Sequence, residues 1–393
     1  MRNEAALPFH LAARAAQIRP FHVMELLAKA RALEAQGRSL VHMEIGEPDF
    51  TTPPEIVSAG QHALEKGHTF YTPATGLPAL QAAISDWYRQ THGLPIAPER
   101  IVVTPGASGA LLLTIAAVVN PGEEVLLPDP TYPCNRHFVR LFEGVARNLP
   151  VGPDTRYQLT AARVEANWSP RTVAALVASP ANPTGTLLSA PELGALIATV
   201  HTCGGRLIVD EIYHGLVYGT EAVSALSLSD EVFVINSFSK YFGMTGWRLG
   251  WLVAPAAYMP ALEKLAQNIF LAASTPSQHA ALAAFSPATR LILEERRREF
   301  ARRRDFLIPA LRSLGFDIPG EPQGAFYVYA RCDRLTDDSF AFCQRLLEEV
   351  GVVVTPGVDF GEHGAAQHVR FAYTTAMDNL EEGVQRLKRF LAI

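Results

Sequence analysis

Two cations stand close together in the segment SFSKYFGMTGWRLG at residues 237–250, where glycines and small hydroxyl residues break any regular helix. Lys240 can form an imine with an aldehyde once burial or a neighbouring cation lowers its pKa. Arg248 offers a planar, permanently charged fork suited to phosphate, and Ser237 adds a hydroxyl. Asp210 ends the apolar run LIVD, where a carboxylate needs a cationic partner because an unpaired buried charge is costly. Its other reading is a cap for the segment that follows. Tyr213, in the same DEIY stretch, is a phenol donor. Asn182 sits in the turn ANPTG and offers an amide; the proline after it excludes a glycosylation acceptor. GASG at 106–109 follows a strand pattern and opens a helical one, so its backbone N–H groups could hold phosphate at the positive end of a helix dipole. It lacks the lysine of a P-loop, the spacing of a dinucleotide fingerprint and that of a hydrolase elbow. Tyr132, in DPTYP, reads as core packing unless a flat ligand lies against it.

These residues need a frame that brings them together. Short β-branched runs at 100–104, 124–127, 172–178, 206–210, 232–236 and 248–253 alternate with amphipathic segments such as 108–119 and 190–203. That alternation predicts a largely parallel sheet with helices on its faces and a ligand site beyond the carboxyl ends of its strands. Residues 21–37 have helical periodicity and end on Gly37, leading into a strand-like VHMEI and the turn GEPD. After about residue 285 the texture changes to a charged helix, EERRREFARRRD, then strands near 325–330 and 368–373 and a final helix. Glutamates interrupt the arginine run at helical spacing, so it reads as a solvated face, not a nucleic-acid patch.

With 393 residues, 48% hydrophobic and 19% charged, the chain has material for a sizeable core and exceeds a usual single domain. Thirty-four Lys and Arg against 39 Asp and Glu give a formal net charge of −5, which argues against nucleic acid or an anionic membrane as partner. Cys134, Cys203, Cys332 and Cys343 form no CxxC pair and no metal-ligand spacing, so no metal or disulfide framework is expected and a cytoplasmic location fits. The first twenty residues carry no leader pattern, and no apolar run is long enough to span a bilayer.

In order and together, IGEPDF at 45–50, YTPATGLPAL at 71–80, ANPTG, DEIY, SFSKYFGMTGWRLG and HVRFAY at 368–373 resemble the class I/II aminotransferases of fold type I, nearest the aspartate aminotransferase branch of bacteria and archaea. The resemblance implies an α/β fold: a large domain at 46–285 with a mostly parallel seven-stranded sheet between helices, and a smaller α+β domain built from 286–393 and the N-terminal arm and helix at 1–45. It implies pyridoxal 5′-phosphate (PLP) as cofactor, with Lys240 holding it covalently and moving the proton, and Asp210 paired with its ring nitrogen. Asn182 and Tyr213 would meet its phenolic oxygen, and Tyr132 would stack on the ring. Ala107, Ser108, Ser237 and Arg248 would hold the phosphate, joined by Tyr71 from the neighbouring subunit of a homodimer with shared active sites. Arg370, with Gly46 and Asn182, would bind the substrate α-carboxylate. The implied reaction moves an amino group from an L-α-amino acid to a 2-oxo acid, 2-oxoglutarate or pyruvate, by a ping-pong cycle. A PLP-dependent β-lyase or synthase and a non-catalytic PLP-fold regulator stay open as alternatives. The chain departs from some relatives at Ser108, where they carry lysine, and only Arg136 is a candidate to meet an acidic substrate side chain.

Overall fold

The computed structural model describes residues 11–18 and 21–392, so the part of the expected N-terminal arm at 1–10 and 19–20 lies outside the described residues. Seven strands form one sheet in the order Ile101–Thr104, Gly250–Val253, Phe233–Ser237, Arg206–Asp210, Thr172–Ala178, Glu124–Asp129, Val145–Pro150. All run parallel except Gly250–Val253, which is antiparallel to both neighbours. Every residue of Ile101–Thr104, Glu124–Asp129, Phe233–Ser237 and Gly250–Val253 is buried, because helices cover both faces. That double burial is why these strands read as continuous apolar runs.

Val145–Pro150 is the exception. It lies at the sheet edge with only Leu149 buried, and its sequence VARNLP offers no apolar run, so the periodicity did not predict it. The strand expected from 248 begins at Gly250 instead. Arg248 takes a left-handed turn, φ 54°, which ends the loop before the reverse strand starts.

A second core lies alongside. Leu26, Ala30, Val41 and Met43 from the N-terminal part pack with Phe300, Phe326, Val369 and Leu387 from the C-terminal part. A three-stranded antiparallel sheet there places His368–Ala372 between Thr355–Pro356 and Tyr327–Arg331. The charged helix spans Pro287–Ser313, capped by the Ser286 hydroxyl on the Thr289 N–H. Its arginines do not all face water: Arg303 is buried, and it forks onto Asp49 through two bonds of 2.9 and 3.0 Å. A residue expected on a solvated face thus ties down the GEPDF loop. Among the described residues no helix is long and apolar enough to cross a membrane.

Candidate active site

The carboxyl ends of the parallel strands converge on one place. Thr104 leads to Gly106, Asp129 to Tyr132, Ala178 to Asn182, and Asp210 and Ser237 are themselves terminal strand residues. The reversed strand explains the two cations of segment 237–250: the chain leaves the sheet at Ser237, passes Lys240, and re-enters at Gly250 from the same edge, carrying Arg248 back to the site. A cavity of about 490 Å³ results, lined by Gly46, Ala107, Ser108, Tyr132, Asn182, Asp210, Tyr213, Ser237, Lys240, Arg248 and Arg370. Tyr71 does not line it and is 82% exposed. Arg136 lines a separate cavity of about 190 Å³ with His137 and Arg140 and does not reach the main one.

Lys240 Nζ donates to the Gly46 carbonyl at 2.6 Å. That bond ties the lysine to the GEPDF turn through the Gly46 C=O. Burial lowers the Lys240 pKa to about 8; Glu47 and Asp210 pull it back up, while Arg370 and Arg248 push it further down. Burial likewise raises Asp210 to about 6, against the Ile212 N–H that its Oδ1 accepts at 3.0 Å and the nearby Lys240 charge. That single bond, two residues on, closes a turn and caps no helix, since the next helical element begins only at Ala225. Behind it Glu211 is fully buried, pushed up to about 8 by burial, and holds the Ala225 N–H at 2.7 Å and the Ser224 hydroxyl at 2.9 Å. Tyr213 shares a hydrogen bond of 3.0 Å between its hydroxyl and that of Tyr327, and burial holds its pKa well above the usual phenol value.

One end of the cavity is a cradle. Helix Gly106–Val118 points its N-terminus there, and Ser237 Oγ and Ser239 Oγ lie 3.0 Å apart beside it. Gly106 has φ +70°, and a Cβ on it would sit 2.6 Å from a terminal nitrogen of Arg248. A Cβ on Gly250 would come 2.7 Å from the Gly106 carbonyl carbon. Backbone and guanidinium approach this closely only because both residues are glycine. A helix N-terminus, two hydroxyls and a guanidinium form a donor set for phosphate, while an amine with lowered pKa and a buried carboxylate lie further in. The residues present fit PLP.

At the other end stands Arg370, 6% exposed. Its guanidinium donates to Asn182 Oδ1 at 2.9 Å and to the Glu44 carbonyl at 2.5 Å, and lies over the rings of Tyr327 at 4.2 Å and Phe360 at 4.7 Å. Its Nε is buried without a hydrogen-bond partner. Tyr327, Phe360 and Thr355, which shape this end, were not found from sequence; they come from segments with no motif of their own. Asn182 links the two ends, since it also lines the inner wall. Among the described residues no cluster of three or more His, Cys, Asp or Glu side chains could hold a metal.

A parallel sheet with one reversed strand, an amine of lowered pKa in one cavity with a buried acid, and a phosphate cradle define a PLP-binding transferase of fold type I. The family model described as aminotransferase class I and II matches residues 38–387, and the chain belongs to that family. It is 36% identical over 378 residues to the valine–pyruvate aminotransferase of Mycobacterium tuberculosis, covering 96% of this chain and 97% of that one. To the aspartate/prephenate aminotransferase of Thermus thermophilus it is 35% identical, over 97% and 98% of the two chains. A crystal structure of an aminotransferase from Mycobacterium tuberculosis superposes with a TM-score of 0.94 at 36% identity, over 98% of this chain and 99% of that one. The protein is a PLP-dependent transaminase related to the aspartate aminotransferase branch. The lyase and regulator alternatives find no support among these relatives.

Proposed function

We propose that eleven of the residues lining the cavity divide the work of a ping-pong transamination as follows. Lys240 Nζ holds the cofactor and moves the proton at the substrate Cα; Asp210 holds a proton on the ring nitrogen; Asn182 and Tyr213 donate to the ring oxygen; Tyr132 stacks against the ring. Ala107, Ser108, Ser237 and Arg248 hold the phosphate. Arg370 orients the α-carboxylate of the amino acid, with Asn182 and Gly46 beside it. When bound, PLP supplies the electron sink that makes loss of the Cα proton feasible. Burial of Asp210 and Arg370 strengthens the contacts that these two make. The observation that carries this reading is that the lowered-pKa amine, the buried acid and the buried arginine fork all open onto one cavity.

Arg248 gives a direct test. Charge-assisted hydrogen bonds contribute about 1.5–3 kcal/mol each, so Arg248→Ala is expected to weaken PLP retention by about 10- to 100-fold in equilibrium dialysis. Retention equal to wild type would remove Arg248 from the cradle.

The two-part division at 46–285 against 1–45 plus 286–393 belongs to the same proposal, supported by two apolar cores, each drawn mostly from one of the two parts. So does a homodimer with shared sites in the cytoplasm. Phe70 and Tyr71 are 83% and 82% exposed, a pair of aromatics that a second copy would cover, and all four cysteines are free. Mixing Tyr71→Ala with Lys240→Ala protein should raise activity above the average of the two, because one hybrid site pairs an intact Lys240 with an intact Tyr71 of the partner subunit. Activity that stays at the average ends the shared-site reading.

A further inference from the structure

We propose that this cavity selects amino acids with apolar side chains and, in the return half of the cycle, monocarboxylic 2-oxo acids, and that it discriminates against acidic substrates. The inference rests on Arg370 as the α-carboxylate anchor.

With Lys240, Asp210, Arg248 and Arg370 assigned, four charged residues remain in the lining: Arg31, Glu44, Glu47 and Asp359. Three of the four are acidic. Glu44 is fully buried and turns its carboxylate to His42 Nδ1 at 2.7 Å. Asp359, 6% exposed, is fixed in place by the N–H groups of His22 and Val23 at 2.7 and 2.8 Å. Those bonds dock helix His22–Ala35 over the mouth, and that helix supplies the wall. Met24, Leu27 and Arg31 follow one helix face, preceded by Phe21, and Ile45 and Phe360 line the same cavity.

A substrate held by Arg370 extends its side chain against this hydrocarbon. A second carboxylate there would lose water with no buried cation among the described residues to receive it, and would face the fixed charge of Asp359. Arg31 lines the cavity too, but it is exposed, so water and salt screen its charge. Met24, 55% exposed, is unbranched and adaptable, which suits a range of apolar shapes. Because donor and acceptor use the same space in turn, the preference applies to both, so a pyruvate-like acceptor is favoured over 2-oxoglutarate.

The test uses the holoenzyme and two unreactive carboxylates of similar reach, 4-methylpentanoate and glutarate, with binding measured by calorimetry. The apolar acid is expected to bind about 30-fold tighter or better, and half-reactions should give L-leucine or L-valine about 100-fold higher kcat/KM than L-glutamate or L-aspartate. Glutarate binding as tightly, or acidic donors reacting as well, overturns the inference. Met24→Arg should raise the glutamate-to-leucine ratio about tenfold by placing a cation in the wall. Arg31→Ala should leave that ratio within about twofold, and its collapse would identify Arg31 as an acid-binding residue and overturn the inference. Arg370→Lys depressing every donor together upholds the anchor, so a preference for acids beside that result defeats this inference alone. Donors affected unequally by Arg370→Lys defeat the anchor and the inference with it.

Discussion

Lys240→Ala is expected to lower the transamination rate by about 10,000-fold or more while the protein still folds and binds PLP through its phosphate. A positioned general base is worth about 100- to 10,000-fold, and the same amine also makes the covalent attachment, so one substitution removes both. Borohydride reduction of the wild-type holoenzyme should fix the cofactor mass on the peptide that contains Lys240, and no peptide of the alanine variant should gain it. Only a neutral amine attaches to an aldehyde. With Lys240 at about 8, attachment to cofactor-free protein should therefore speed up as pH rises toward 8 and level off above it. The stability of that cofactor-free protein carries the same signature. Between about 8 and the ordinary lysine value of 10.5 the unfolded chain keeps a proton that the folded chain has released, so stability rises with pH across this window. Thermal melts at several pH values should show that rise in wild type and lose it in Lys240→Ala. Full turnover by the variant would end the assignment.

The lysine was readable in the sequence because its context is local. Ser237, Lys240 and Arg248 lie within one loop, and the strands on either side, Phe233–Ser237 and Gly250–Val253, are apolar runs that announce burial on both faces. Asp210 was legible for the same reason, as a charge at the end of such a run. What sequence could not show is contact between distant segments. Arg303 looked solvated among its arginine neighbours, yet it is buried against Asp49, more than two hundred residues away. The edge strand Val145–Pro150 is held mainly by its pairing with Glu124–Asp129, with Leu149 as its one buried side chain. The wall formed by Phe21, Met24 and Leu27 is an ordinary amphipathic helix until Asp359 pins its first turn over the cavity. Tyr327, Thr355 and Phe360 carry no motif either, and what places them around Arg370 is contact between distant segments.

That arrangement sets the second large effect: Arg370→Lys is expected to reduce kcat/KM about 100- to 1000-fold for every amino donor, mostly through KM. The guanidinium plane is fixed between the rings of Tyr327 and Phe360, and two of its nitrogens are committed to Asn182 and to the Glu44 carbonyl. A lysine ammonium at the end of a flexible chain can occupy neither the slot between the rings nor both bonds at once. Losing one partner of a buried, hydrogen-bonded charge pair costs about 2–5 kcal/mol, roughly 30- to 4,000-fold, and the expected loss lies inside that range because a positive charge is retained. Because Asn182 Oδ1 loses its donor too, the inner wall of the cavity should loosen, and kcat should fall by a smaller factor than KM rises. Steady-state kinetics with several donors would separate the two, with PLP content checked to show that the cradle around Arg248 is untouched. A variant whose KM stays at the wild-type value would mean that the carboxylate is held elsewhere, and the orientation assigned to every substrate in this cavity would have to be reversed.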